Sequence, residues 1–371
     1  VTHPTDRVVK ELVDIYSPTG NEEKAVEYFG REILRLGADE FLVDRAGNGV
    51  SIFSGGSPEI LVCGHIDTVP GQLPVREDGD TLYGRGATDA KSSLVSLMFG
   101  VSMAKQRGFS GTIRMIAAVG EEGPGKGIME VASSQPRSDY AIFGEPSAVT
   151  GITVGYRGRI LLDMEFRSGQ VHASAPWLGQ SAVESAVEAW NSVRDKLGKN
   201  REFSKVSAAL TSIRAGDADN MTPSNAAMTL DVRYPPSRKQ DDVLSEILDL
   251  VKSSTASEPS FMIRSSVEPY VSGLKTPLIS AFKESVRKNT GSEAQLLFKS
   301  GSGDMNILGS RWKIPCVTYG PGNPQLSHTE LEEISLEEVW RSAEIVADAL
   351  LNLERGRKEG QAISEKGRGT A

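Results

Sequence analysis

The sequence predicts an α/β fold built on a mixed, mostly parallel sheet with flanking helices, into which a smaller α+β domain is inserted. Three observations carry that prediction. Apolar runs of strand length recur at Ile60–Cys63, Thr112–Val119, Tyr140–Phe143 and Cys316–Tyr319, and each stops at a glycine. Helical periodicities separate these runs. Between Ile160 and Val267 the pattern changes to alternating strands and two helices in the order β-α-β-β-α-β. At 371 residues the chain is long enough for two domains and a sizeable core.

The first helix has Val8, Val9, Leu12, Val13 and Tyr16 on one face, with Thr5 as a cap and Ser17-Pro18-Thr19-Gly20 as its end. His3 falls in a frayed terminus with no assigned task. The second helix spans 21–36, with Val26, Phe29, Ile33 and Leu36 inward and Gly37 as its stop. Phe41–Val43 and Val50–Phe53 flank an Asn48-Gly49 step that suggests a hairpin. Asp89 opens a helix whose Leu94, Leu97, Met98 and Val101 keep helical spacing until Gly108, and a carboxylate there is also an ordinary N-cap.

In the inserted segment Ile160, Leu162, Met164 and Phe166 alternate with more polar neighbours, as in a half-buried antiparallel strand. A helix over 181–193 sets Val183, Val187 and Trp190 on one side. Strands near 208–213 and 228–232, a helix over 241–251 and a strand near 261–267 complete the split motif of a ferredoxin-like domain. Thr276-Pro277 then restarts the first domain with a cap and a proline at the first helical position. The glycine-rich loop Lys299–Asp304 reads either as a connector or as backbone N–H groups offered to an anion. Ser335 and Glu338 form a capping box for a last helix that carries Val339, Val346, Leu350 and Leu353 inward. The domains are therefore 1–155 with 274–354, and 156–273; the aperiodic, charged tail 355–371 is expected to be disordered.

A formal charge of −8 and the lack of a basic stripe with interleaved aromatics argue against nucleic-acid binding. The uncharged stretch Ser92–Ala104 is well short of the roughly 20 residues a membrane span needs. No secretory pattern precedes the first helix, so the cytoplasm is the expected location. Cys63 and Cys316 lie in apolar runs as small buried hydrophobes and make no disulfide framework.

Chemistry-bearing residues collect where the apolar runs end. His65-x-Asp67 follows the first run, where ligands bind in open parallel sheets. Asp67 could receive one ring N–H of His65 and leave the other nitrogen for a metal, although the pair equally fits a core histidine satisfied by a neighbouring carboxylate. Gly84-Arg85-Gly86-x-x-Asp89 is a turn carrying a carboxylate, Glu121-Glu122 and Glu145 follow the next two runs, and His328 lies in the loop after the last. Histidines and carboxylates together suit zinc, cobalt or manganese better than calcium.

In this order the motifs His65-x-Asp67, Gly84-Arg85-Gly86-x-x-Asp89, Glu121-Glu122, Gly144-Glu145-Pro146 and His328 resemble the co-catalytic di-zinc aminoacylase and carboxypeptidase family. That family includes acetylornithine deacetylase and succinyl-diaminopimelate desuccinylase. The resemblance covers roughly residues 5–353 and implies a zinc-exopeptidase-like catalytic domain with an inserted lid and dimerisation domain. It implies two Zn2+ per subunit, with Co2+ as a possible substitute. Asp89 would bridge them, His65 and Glu145 would complete one site, and Glu122 and His328 the other. Glu121 would be the general base and Asp67 would orient His65. His172, in Gly169-x-x-His172-Ala173-Ser174, would cross a homodimer interface to stabilise the oxyanion; read alone it is a surface-loop histidine.

Between two divalent ions the pKa of water falls to about 7, so hydroxide becomes available for attack on an amide. Glu121 would take the water's proton and pass it to the departing amine. Arg157, Asn220, Arg233 and Gly303 resemble family positions that bind the substrate carboxylate, and a guanidinium suits that anion. Asp89-Ala90-Lys91 stands where plain deacetylases usually show Asp-Met-Lys. With Lys299–Asn306 and Tyr319–Asn323 it resembles the branch that releases lysine or ornithine from the γ-glutamyl end of a small amino-group carrier protein, in lysine and arginine biosynthesis. A small-molecule N-acyl amino acid deacylase or dipeptidase is the alternative with the same site, and a non-catalytic metal-dependent binding protein is a further one.

Overall fold

The computed structural model describes residues 2–216, 218–255 and 258–368, with backbone alone from 359. Two compact units emerge. One comprises the chain through Gly155, Ser272–Leu297 and the part from Ile307 onward; the other comprises Tyr156–Val271 and Phe298–Asn306.

In the first unit the strands Gly56–His65, Gly111–Ala118, Tyr140–Gly144 and Cys316–Thr318 run parallel, with Val62 opposite both Met115 and Ile142, and Val317 opposite Ile142. All four are the apolar runs read from the sequence. Both faces of a parallel sheet are covered, which is why these runs are continuous and not alternating. Glu40–Val43 and Gly49–Phe53 form the expected antiparallel hairpin, and the second of these pairs antiparallel with Gly111–Ala118. The sheet is thus mixed, with a parallel centre, and the carboxyl ends of the parallel strands share one edge.

The helix Lys91–Gln106 is buried almost all round, serines included, so its apolar length serves the core. It crosses the last helix at Gly100, where a Cβ would lie 2.7 Å from Val346 Cβ. Among the described residues no helix is long and apolar enough to cross a membrane.

Three expectations change here. His3 is the N-cap residue of Pro4–Asp14 and is not frayed: its N–H donates to Asp6 at 2.7 Å, and its ring stacks on Trp340 with centroids 4.9 Å apart. Thr5 lies inside that helix instead of capping it. The last helix runs Leu336–Arg368, past the point where a disordered tail was expected, and Arg357 donates to Asp139 and Ser57, each at 2.9 Å. Its apolar period ends near Leu353, but Arg, Lys and Glu are good helix formers that extend a helix already anchored by packing. Residues 369–371 lie outside the described residues.

The second unit has a four-stranded antiparallel sheet in the order Ser207–Ala215, Asn225–Tyr234, Gly158–Arg167, Ser260–Val267. The helices Ala182–Val193 and Gln240–Ser254 pack on it around Leu162, Leu230 and Val232. The buried face of the first helix is Ala182, Ser185, Ala186, Ala189 and Val193, whereas Val187 is 44% exposed and Val183 and Trp190 are only partly buried. Small side chains face the sheet because they let the helix approach it closely, and bulk moves to the flanks. Size alone pointed to the wrong face.

Candidate metal centre

Every loop that leaves the parallel edge brings a ligand-type side chain to one place in the first unit. His65 is the last residue of its strand and is 2% exposed. Its Nε2 lies 3.2 Å from Asp89 Oδ1 and 3.5 Å from Glu145 Oε1. His328 Nε2 lies 2.8 Å from Glu122 Oε1 and 3.4 Å from Asp89 Oδ2. Asp89 therefore turns one oxygen toward each histidine. Donor atoms of His65, Glu121 and Glu145 fall within 4.8 Å of one another, as do those of His65, Asp89 and Glu122. Five side chains of borderline nitrogen and hard oxygen character, with one carboxylate shared, fit two divalent ions of the zinc type.

Asp67 works differently from the reading of the sequence. The strand stops at His65, so alternation no longer carries Asp67 to the same face. His65 Nδ1 lies 2.9 Å from the main-chain oxygen of Asp67 and 3.6 Å from its carboxylate. A main-chain acceptor still fixes the ring, with Nδ1 protonated and Nε2 turned to the centre. The carboxylate instead accepts the backbone N–H groups of Glu121 and Glu122, each at 3.1 Å, and the Thr19 hydroxyl at 2.6 Å. It thereby fixes the backbone of both glutamates.

Asp89 is likewise not the N-cap: the helix begins at Lys91 with Ala90 as its cap residue. The turn before it needs Gly86, whose φ is +88° and where a Cβ would meet Lys91 and Thr68 at 2.9 Å. His328 itself has φ 64°, a left-handed backbone that few non-glycine residues adopt.

Electrostatics express the crowding of carboxylates. Burial pulls the His65 imidazole toward neutrality, but Asp67, Asp89, Glu145 and Glu121 outweigh it and hold its pKa well above the usual value. The hydrogen bond to the Glu122 carboxylate raises the His328 pKa, against the opposing effect of burial. Two cations would take the protons' place and leave neutral imidazole ligands. Burial lowers the Lys91 ammonium to about 7, against the pull of Glu332 and Asp67, while its Nζ donates to the carbonyls of Leu12 and Ile15 at 3.0 and 2.5 Å.

Sequence reasoning missed Glu332 and Asn48. Asn48 is fully buried; its Oδ1 accepts Val119 N–H at 2.9 Å and its Nδ2 donates to Gly127 O at 3.0 Å, so it spans both ends of the loop that carries Glu121 and Glu122. Asn48 reads as part of an Asn-Gly hairpin step, and Glu332 stands in an acidic stretch, 330–333, with no local sign of its partners. A buried satisfied partner leaves little mark in a single sequence.

The other candidates lie in the second unit. His172 Nδ1 accepts from Ser174 N–H at 3.1 Å, and the neighbouring Ala173 N–H donates to Asn220 O at 2.8 Å, so the His172 and Asn220 segments are adjacent. Arg157 is buried, donating to Lys205 O at 3.1 Å and Ser300 O at 3.4 Å. Arg233 already grips Asp231 with two bonds of 2.5 and 3.0 Å, and Arg159 shares that carboxylate at 2.9 Å. Arg233 Nη1 donates to Ser302 Oγ at 3.2 Å, and the next residue, Gly303, gives its N–H to Asn306 Oδ1 at 3.0 Å.

Comparison with known proteins places the chain in a family. A relative from Sulfurisphaera tokodaii named LysW-lysine/LysW-ornithine hydrolase is 32% identical over 89% of this chain and 90% of its own length. A Thermococcus kodakarensis relative, provisionally named for the same activity, is 34% identical over 97% and 94% of the two chains. Among solved structures, a tripeptidase from Staphylococcus aureus superposes with a TM-score of 0.83 at 22% identity, covering 95% of this chain and 98% of its own. A dinuclear metal-binding M20 peptidase from Bacillus subtilis gives 0.73 at 14% identity, over 94% and 98%. These two support the fold. The sequence profile of peptidase family M20/M25/M40 matches residues 61–352, and this chain belongs to that family of metal-dependent amide hydrolases.

Proposed function

We propose that this enzyme uses two zinc ions to release lysine or ornithine from the γ-glutamyl end of a small amino-group carrier protein. What carries the chemistry is Asp89, with one oxygen toward His65 and the other toward His328. The substrate rests on the relatives' names, shared at 30–34% identity over about nine-tenths of the chain. The biosynthesis served is that of lysine and arginine, and the place is the cytoplasm.

His65, Asp89 and Glu145 would hold one ion, and Asp89, Glu122 and His328 the other; Co2+ is a substitute. When bound, the ions polarise the scissile carbonyl and supply hydroxide near neutral pH. Glu121, whose backbone N–H is fixed by Asp67, accepts the proton of the attacking water and returns it to the departing amine. Asp67 keeps Glu121 and Glu122 in place while its main chain holds the His65 ring. In the second unit, Arg157, Asn220, Arg233 and Gly303 bind the substrate's carboxylate end, and that unit acts as lid and homodimer surface, with His172 serving the partner's oxyanion. Arg233, gripped by Asp231, is a rigid donor rather than a free one.

Zinc-loaded enzyme is expected to hydrolyse the carrier-bound amide, and Glu121→Ala is expected to retain both ions while turnover falls by about 10²–10⁴-fold. A Glu121→Ala enzyme that turns over normally contradicts the assignment of the base.

A further inference from the structure

Glu332 is a buried carboxylate, 2% exposed, four residues beyond His328. Its Oε1 accepts the backbone N–H of Gly86 at 3.1 Å and of Asp89 at 2.9 Å. Its Oε2 accepts Arg85 Nη1 at 2.9 Å, and the same nitrogen donates to Thr329 O at 3.0 Å. Thr88 Oγ1 reaches Glu333 O at 2.5 Å, and Gly84 N–H donates to Glu332 O at 3.2 Å. The Glu332 side chain thus fastens the loop that carries His328 to the turn that carries Asp89, beside the antiparallel pairing of Glu333–Ser335 with Thr81–Tyr83.

We infer that Glu332 is a positioning residue that fixes the reach between Asp89 and His328, and so sets the affinity of the second ion more than that of the first. This rests on the two-ion reading of the centre. Asp89 Oδ2 and His328 Nε2 lie 3.4 Å apart, and they belong to different loops. Of the three side chains at that ion, His328 is the most exposed, at 52%. His65 sits at the end of a central strand and needs no such fastening. The Glu332 carboxylate makes charge-assisted bonds on both oxygens, to one guanidinium and to two backbone N–H groups.

Glu332→Gln tests this without a large change of shape. Whichever way the amide turns, an NH2 group faces either Arg85 or the two backbone N–H groups. Metal-free wild type and variant are titrated with Zn2+ by calorimetry, and their metal-free thermal unfolding is compared. Two binding steps are expected in the wild type. In the variant one step is expected to weaken by about 10–100-fold while the other stays as in the wild type. Two wild-type affinities in Glu332→Gln overturn the inference, as does equal weakening of both steps together with a lower metal-free melting temperature, which marks general damage. A wild type that binds fewer than two ions overturns the two-ion reading itself, a distinct result. Should Glu332→Gln not fold, Glu332→Asp keeps the charge but retracts it by one methylene; the same selective weakening is expected, and unchanged affinities refute the role.

Discussion

The carboxylate of Asp67 accepts the N–H of Glu121 on one oxygen and that of Glu122 on the other, so the proposed base and a proposed ligand are held by a single side chain. Asp67→Asn keeps the shape but turns a donor toward one of those N–H groups. Turnover should fall by about 10–100-fold, with zinc stoichiometry retained, in kinetics run beside metal analysis. Wild-type turnover in that variant would mean that the loop is held by its other bonds. The ligand-type residues were legible in the sequence because His65, Glu122, Glu145 and His328 follow apolar runs that stop at a glycine, and Asp89 lies in a glycine-rich turn. Their supports were not. Glu332 meets Gly86 and Asp89 across 246 and 243 positions of chain, and no local pattern records such a partner.

The last helix, Leu336–Arg368, binds elements that are far apart in the sequence. Its Asp348 accepts from Lys288 at 2.8 Å, Asn289 at 2.9 Å and Arg107 at 3.3 Å. Burial would raise this carboxyl's pKa, but those donors outweigh it and hold it below the usual carboxylate range. A carboxyl whose folded pKa is depressed contributes stability above its unfolded pKa and loses it as pH falls through the folded value. Lys288 and Arg107 are partly exposed, so solvent screens the effect. Asp348→Asn should therefore lower the melting temperature by ~2–4 °C at pH 7, with the difference shrinking toward pH 3 in thermal melts across pH. A difference that grows toward acid would refute this. Element types were mostly readable, since period and caps are local: Thr276 does cap Pro277–Thr290, and Ser335 does cap the last helix. The face of Ala182–Val193 was not, because what it must fit is a sheet made from distant strands.

For the molecule as a whole, the α/β architecture and its inserted β-α-β-β-α-β segment were legible because parallel and antiparallel strands leave different apolar patterns. The four parallel strands are continuous, and Gly158–Arg167 alternates between buried and less buried positions. The substrate's identity is far less local, since it depends on how a carrier's acyl chain enters the centre. A net charge of −8 gives the enzyme no overall attraction for an acidic partner, so docking of one would need a local basic surface. The most direct measurement is mass spectrometry of carrier protein bearing γ-glutamyl-lysine or γ-glutamyl-ornithine after incubation with the zinc-loaded enzyme. Acetylornithine and succinyl-diaminopimelate are run in parallel, each with a chelated control. Loss of the lysine or ornithine mass from the carrier, blocked by chelator, is the expected result. An intact loaded carrier beside cleaved small acylated substrates would contradict the carrier assignment and leave a small-molecule deacylase.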